Sequence, residues 1–237
     1  MNLERFWLKC QAFKYILKGN VRPSFSQAGE DIILQYLFQK IKIKSPTYLD
    51  IGTNHPIIGN NTYLLYLRGS KGVCIEPDPE LCKQIKRKRP NSKLLQVGIG
   101  LSDQQHAPFY IFPQPYTGWN TFSKDEASKK ETESGIKVKR TISIPLMSIN
   151  EIIQQNFSLP PDFLSIDIEG LDLPVLKTLD FEKYAPAVIC AETISFSMSG
   201  YGEKQNDLVS FLKSQNYIVY ADTHINTIFC KKNLLGE

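Results

Sequence analysis

YLDIGTNHPIIGNNTYLLYLRGSKGVCIEP, residues 48–77, decides the fold. It opens on a short apolar run that ends in an acid and a glycine, Asp50 and Gly52. A turn follows, then NNTYLLYLRG (60–69), which reads as a helix with an asparagine cap and a glycine stop. A second apolar run, GVCIEP (72–77), closes on Glu76. Strand, tight turn, helix and strand in this order form a unit of parallel sheet, because parallel neighbours need a crossover between them.

The same alternation runs outward in both directions. Upstream, Ser26 precedes QAGEDIILQYLFQKI, where Ile32, Ile33, Tyr36, Leu37 and Ile41 recur at helical spacing. Downstream, PELCKQIKRKR (79–89) reads as a helix with proline at its start and bases at its end, and SKLLQVGIG (92–100) as a third strand. SINEIIQQN (148–156) reads as a Ser-capped helix, PPDFLSIDIEG (160–170) as a fourth strand and LPVLKTLDF (173–181) as the helix behind it. PAVICAET (186–193) is a fifth strand and NDLVSFLKSQN (206–216) a helix. YIVYAD (217–222) and NTIFCKK (226–232) are too close for a helical crossover, so this closing pair is antiparallel. The pattern predicts one doubly wound α/β domain over residues 1–237.

Residues 101–146 interrupt it. FYIF (109–112) and VKRTISIPL (138–146) read as added strands around a polar middle, 113–136, expected to be a long structureless loop. Such a loop in a small domain is usually functional, and the segment is expected to be a lid or substrate-recognition insert. Tyr116 and Trp119 at its front, with Tyr201, are candidates to stack on a sugar face.

Composition narrows the class without fixing it. Hydrophobic residues make up 42% and charged residues 22%, ordinary globular usage. The 28 basic and 24 acidic side chains leave a net charge of +4, which demands no anionic partner. Cysteines stand at 10, 74, 82, 190 and 230, an odd number with no CxxC pair. They read as buried free thiols in a reducing, cytoplasmic setting rather than a disulfide framework. No signal peptide or membrane span is expected. Residues 1–23 read as an N-terminal helical segment that packs on the domain, with peripheral membrane contact through 1–19 as the alternative.

The chemistry is positional. Asp50, Glu76, Asp103, Asp167 with Glu169, and Glu192 stand at or just beyond the ends of successive predicted strands. In an open α/β sheet the ligand binds outside those ends. A row of acids there implies a ligand rich in hydroxyls and amines, or a cationic one. Gly52 allows a tight turn and close backbone approach. Asp50 offers a carboxylate to an ammonium. Glu76 suits the two hydroxyls of a ribose, with Pro77 and Asp78 shaping a wall for the base. The dinucleotide fingerprint GxGxxG is absent, since Asn54 and Ile57 stand where glycines belong, which weighs against an NAD-dependent oxidoreductase.

SFSQAGEDIIL (24–34), YLDIGTNHPIIGNNTYLLY (48–66), GVCIEPDPELC (72–82), DFLSIDIEGLDLPVLKTLDF (162–181) and AVICAET (187–193), in this order, resemble the FkbM family of S-adenosylmethionine-dependent methyltransferases. The match is most specific at IDIEG-x-D-x-x-VL and SQ-x-GED. The resemblance implies a class I methyltransferase (Rossmann-like) fold, seven strands with the last antiparallel, and the insert after the third predicted strand. It implies S-adenosylmethionine as cofactor and O-methylation of sugars or polyketide-type hydroxyls. By the same resemblance Asp50, Gly52 and Asn54 match the first cofactor motif and Glu76 the ribose acid. Ile99, Gly100 and Asp103 match the adenine-side turn, and Asp167 the acid near the methionine moiety. Gln27 and Asn61 complete the expected cofactor set. Asn54 and Pro56 replace the later glycines of the broad class pattern.

An alcohol must lose a proton as it is methylated, which calls for a general base or a metal ion. Glu169 is the first candidate base, followed by His55 and Glu192, with Asp167 beside them. If the strand continues, Asp167 and Glu169 share one face, and with Glu192 they are candidates to hold a divalent cation such as Mg2+. The acceptor is expected to be a small molecule or glycan. Nucleic acid is not expected, although KQIKRKR (83–89) raises it as a rival, because acids at the strand ends repel phosphates. Protein methylation is a further alternative.

Overall fold

A computed structural model describes residues 22–197 and 202–236, together with Trp7 and Lys14. The remainder of the N-terminal segment, Tyr201 and Cys10 lie outside the described residues.

The frame is a seven-stranded sheet in the order β3-β2-β1-β7-β8-β10-β9. Its strands are β1 (Tyr48–Ile51), β2 (Gly72–Ile75), β3 (Lys93–Leu95), β7 (Phe163–Ile166), β8 (Val188–Glu192), β9 (Tyr217–Asp222) and β10 (Asn226–Lys231). β1 pairs in parallel with β2 and β7, and β10 runs antiparallel to both β8 and β9. This is the class I methyltransferase arrangement that the sequence predicts. The strand order reverses between β1 and β7, so the crevice of this doubly wound sheet opens at their carboxyl ends.

Burial on both faces explains the near-continuous apolar runs. Leu49, Ile51, Leu164 and Ile166 point into one core, and Tyr48 and Phe163 into the other. Helices α1 (Glu30–Lys40), α2 (Tyr63–Leu67) and α3 (Pro79–Lys88) precede the insert. Asp78 caps α3 by accepting from the Glu80 N–H at 2.9 Å. The Asn60 side chain caps α2, accepting from the N–H groups of Thr62 and Tyr63 at 2.9 and 2.8 Å.

Three expectations need correction. The predicted strand 92–100 splits: β3 stays in the main sheet, and β4 (Gly98–Ile99) leaves it to pair with β6 (Arg140–Met147). With β5 (His106–Ile111), these form a separate three-stranded sheet over its own small core of Phe109, Ile111 and Ile144. The polar middle is also not structureless. It holds a 3-10 turn (Thr117–Trp119) and α4 (Lys124–Ser134), with Ser123 accepting from the Glu126 N–H and Gly135 ending the helix at φ 74°. α5 (Ile149–Asn156) carries a capping box between Ser148 and Glu151. The predicted helix 173–181 is two short ones, α6 (Asp172–Thr178) and α7 (Phe181–Tyr184), because Asp180 caps a new start. α8 (Asn206–Ser214) follows. Among the described residues no helix is long and apolar enough to cross a membrane.

Candidate active site

A cavity of about 420 Å³ opens at the carboxyl ends of β1, β2, β7 and β8, within the range of roughly 300–1,000 Å³ typical of small-molecule sites. Gln27, Asp50, Gly52, Asn54, His55, Asn61, Glu76, Pro77, Asp167, Glu169 and Glu192 all line it.

Gly52 explains the geometry at the switch point. Its φ is 79°, and a Cβ there would lie 2.0 Å from the Asp167 carbonyl oxygen. The turn after β1 therefore runs against the end of β7, closer than any side chain allows. The chain then crosses to β2: the Asn54 N–H donates to Oε2 of Glu76 at 2.8 Å, and the Asp78 N–H to Oε1 at 2.8 Å. Each carboxylate oxygen of Glu76 thus carries one backbone donor and keeps a lone pair for a further one. That pattern fits a vicinal diol.

Asp50 is buried on the opposite face of β1, and all its hydrogen bonds fall on Oδ2. Thr62 Oγ1 donates at 2.6 Å, Asn60 Nδ2 at 3.4 Å and Arg89 Nη1 at 3.4 Å. Arg89 is wholly buried. It also donates through Nε to the Pro56 carbonyl at 2.7 Å, through Nη1 to Thr62 Oγ1 at 2.9 Å, and through Nη2 to Asn60 Oδ1. The residue that ends the basic run 83–89 is therefore an internal brace of the loop that follows β1. Oδ1 of Asp50 takes no hydrogen bond from the described residues.

His55 is not placed as a base. Its Nδ1 accepts the N–H groups of Ile57 and Ile58 at 3.1 and 2.9 Å. The neutral ring then carries its proton on Nε2 and has no free acceptor. Burial, with Arg89 and Lys88 nearby, lowers its pKa and so favours the neutral ring.

β7 stops at Ile166, and Glu169 adopts φ 54° ahead of Gly170 at φ 90°. The extended period is broken, so Asp167 and Glu169 do not share a strand face. Burial is the main cause that raises the carboxyls of Asp167, Glu169 and Glu192, and each feels the charge of another acid. Among the described residues only Glu169 of the three has a salt-bridge partner: Lys130 Nζ lies 2.6 Å from its Oε2. Environments that separate neighbouring carboxyls in this way assign acid and base roles. Lys130 opposes that rise at Glu169, where it also donates a hydrogen bond, while burial and the neighbouring acids push Asp167 and Glu192 well above the usual carboxylate range. The divalent cation expected at Asp167, Glu169 and Glu192 does not fit. Among the described residues no group of three or more potential ligands is disposed to hold a metal ion, and the Lys130 ammonium already faces Glu169.

Four expected residues do not line the cavity. Asp78 is buried as the α3 cap and also accepts from Asn120 Nδ2 at 3.3 Å. Ile99 packs in the core, Gly100 donates to the Met147 carbonyl at 2.9 Å, and Asp103 is exposed. The departure of β4 into the second sheet carries 99–103 away. The insert supplies other lining in exchange, including Phe109, Gln114, Thr117, Asn120, Thr121 and Phe122. Tyr116 and Trp119 do not line it. Their rings pack on each other at 4.5 Å, and Trp119 meets Phe112 and Phe196 edge-on at 5.8 and 5.2 Å. Lys130, Arg89, Asn60 and Thr62 are the functional-site residues that sequence reasoning missed.

The buried acids set a pH dependence. Burial raises Glu76 to about 8 and Asp172 to about 7. Unfolded, both titrate near 4. The folded protein then binds more protons between those limits, so stability is greatest at the acid end and falls as pH rises through about 7 and 8. The unfolding temperature of the ligand-free protein is expected to decline from about pH 6 to about pH 8.5, and the Glu76→Gln variant to show a shallower decline. Identical slopes in calorimetric scans contradict this assignment.

Residues 50–219 match the methyltransferase FkbM domain. The chain belongs to the FkbM methyltransferase family, a class of S-adenosylmethionine-dependent enzymes. No curated protein matches it. Similar solved structures include a TehB-like SAM-dependent methyltransferase from Corynebacterium glutamicum, at 11% identity and TM-score 0.45, covering 98% of this chain and 100% of that one. An O-methyltransferase from Bacillus cereus in complex with SAH is similar at 12% identity and TM-score 0.41, covering 92% and 87%.

Proposed function

We propose that the chain transfers a methyl group from S-adenosylmethionine to a hydroxyl of a neutral, polyhydroxylated acceptor such as a sugar, glycan or related natural product. One observation carries the reading. The described lining of the cavity includes Asp50, Glu76, Asp167, Glu169 and Glu192 and no lysine or arginine. Phosphorylated or carboxylated acceptors, nucleic acid included, find no free counter-charge in that lining, since Arg89 and Lys130 are already engaged by Asp50 and Glu169, whereas hydroxyls find hydrogen-bond partners.

The residues fit the cofactor. Glu76 would hold the ribose hydroxyls, Asp50 would meet the ammonium through Oδ1, and Gly52 would let the backbone approach closely. Pro77, Asn54, Asn61 and Gln27 complete that side. Bound S-adenosylmethionine supplies an electrophilic methyl group on a sulfonium sulfur. Glu169 accepts the acceptor's hydroxyl proton, and Asp167 and Glu192, whose carboxyls burial raises, hydrogen-bond the acceptor's other oxygens. The insert 101–146 forms the acceptor wall and takes the role of lid. Four buried free cysteines suit a reducing cytoplasm.

The test is tritium transfer from methyl-labelled S-adenosylmethionine to a panel of neutral methyl glycosides and their phosphorylated counterparts. Neutral acceptors are expected to be labelled and phosphorylated ones not; the reverse preference overturns the reading. On a labelled acceptor, Glu169→Gln is expected to lower kcat by at least about 100-fold while S-adenosylhomocysteine affinity stays within about threefold. Unchanged turnover removes Glu169 from the chemistry.

A further inference from the structure

The insert reaches the catalytic turn with one buried charge. Lys130 sits on α4 with its side chain wholly buried. A lysine is almost never fully buried unless paired, because taking an ammonium out of water costs several kcal/mol on the order of a whole core side chain. Here Nζ lies 2.6 Å from Oε2 of Glu169, donates to the Trp119 carbonyl at 3.3 Å, and stands 5.2 Å over the ring of Phe196. Two more contacts join the same elements. Thr121 Oγ1 donates to the Glu169 carbonyl at 3.3 Å. Glu126, one turn before Lys130, packs so close to Gly170 that an added Cβ would fall 3.1 Å from its Cγ. Glu169 itself holds φ 54°, a backbone state that costs a side-chain-bearing residue about 1–2 kcal/mol and persists only when its surroundings fix it.

We propose that Lys130 is the positioning residue of the reaction: it clamps one oxygen of Glu169 so that the other, Oε1, faces the acceptor hydroxyl. This rests on Glu169 being the base. Oε1 takes no hydrogen bond from the described residues, and Glu169 lines the cavity. The charged and titratable groups around Glu169 are Asp167, Asp172 and Glu192 at the sheet end, and Glu126 and Lys130 on α4. Burial raises the Glu169 carboxyl and Lys130 opposes that rise. Without the lysine that opposition is lost, and Glu169 holds its proton more tightly. With it, Oε1 accepts the proton of the acceptor hydroxyl; bound S-adenosylmethionine would supply the methyl group to the freed oxygen, its sulfur keeping the electron pair of the broken carbon–sulfur bond. The insert thus completes the base as well as walling the cavity.

The experiment labels glutamate carboxyl carbons with ¹³C, assigns Glu169 by its loss in Glu169→Gln, and titrates the protein bound to S-adenosylhomocysteine. In Lys130→Met the Glu169 midpoint is expected to rise by at least about one pH unit, with S-adenosylhomocysteine affinity within about threefold of wild type. Lys130→Arg is expected to bring the midpoint back toward the wild-type value. An unchanged midpoint in Lys130→Met overturns the proposal. Lys130→Gln replaces the methionine variant if that one does not fold, and failure of both assigns Lys130 to folding and likewise overturns it. A shifted midpoint with full turnover in Glu169→Gln sinks the base reading, and the proposal with it. An unshifted midpoint with an inactive Glu169→Gln sinks the Lys130 proposal alone.

Discussion

Gly52→Ala is expected to bind S-adenosylhomocysteine at least about 1,000-fold more weakly than the wild type, about 4 kcal/mol in binding free energy. Two penalties combine. The backbone at φ 79° costs an alanine about 1–2 kcal/mol. The new Cβ would also lie 2.0 Å from the Asp167 carbonyl oxygen, a backbone atom that no side-chain rotation can move aside. The turn must back away from β7, and that movement carries Asn54 off Glu76 and reshapes the crevice where ribose and methionine tail meet. Calorimetric titration measures the loss. Affinity within threefold of wild type would show that the close approach of these two chain ends is unrelated to ligand binding.

Arg89→Met is expected to destabilise the fold by about 3–5 kcal/mol, because it leaves the Asp50 carboxylate buried without its counter-charge. It also strips donors from the Pro56 carbonyl and the Asn60 and Thr62 oxygens. For a domain of this size the unfolding temperature falls by on the order of 10 °C. Asp50→Asn in the same chain is expected to recover part of the loss by removing the orphaned charge, and a double-mutant cycle reads that coupling. Additive losses contradict the brace. The Phe25 and Tyr63 rings meet edge-on at 4.9 Å, and the Arg89 guanidinium lies 5.2 Å over Tyr63, so this variant also loosens the segment that brings Gln27 to the cavity.

The sheet was legible because its strands are buried on both faces and read as unbroken apolar runs closed by an acid or a glycine. The cofactor side was legible for a related reason: Asp50, Gly52 and Glu76 stand at strand ends, where core packing does not ask for them. The acceptor side was hidden. Residues 113–136 have no apolar period, since α4 buries only Ala127 and Lys130. A lysine in a polar helix carries no signal of burial until its partner, thirty-nine positions away, is folded against it. Arg89 was masked in the same way by Lys86, Arg87 and Lys88, which are true helix-end cations. Ile99 to Asp103 misled because Gln96 and Val97 look like a strand interior, yet they are where the chain passes from the main sheet to β4. His55 looked like a base from its place beside the cofactor turn. Only the two backbone N–H groups on Nδ1 show that its acceptor is taken.

The claim on which everything else rests is that Glu76, braced by the Asn54 and Asp78 amides, grips a ribose in this crevice. Calorimetric titration of S-adenosylhomocysteine into wild type and Glu76→Ala tests it. Saturable one-to-one binding to the wild type is expected, with affinity at least about tenfold lower in the variant, the worth of the hydrogen bonds that Glu76 makes to the ribose. Equal affinity in the two proteins, or no binding to the wild type, contradicts it.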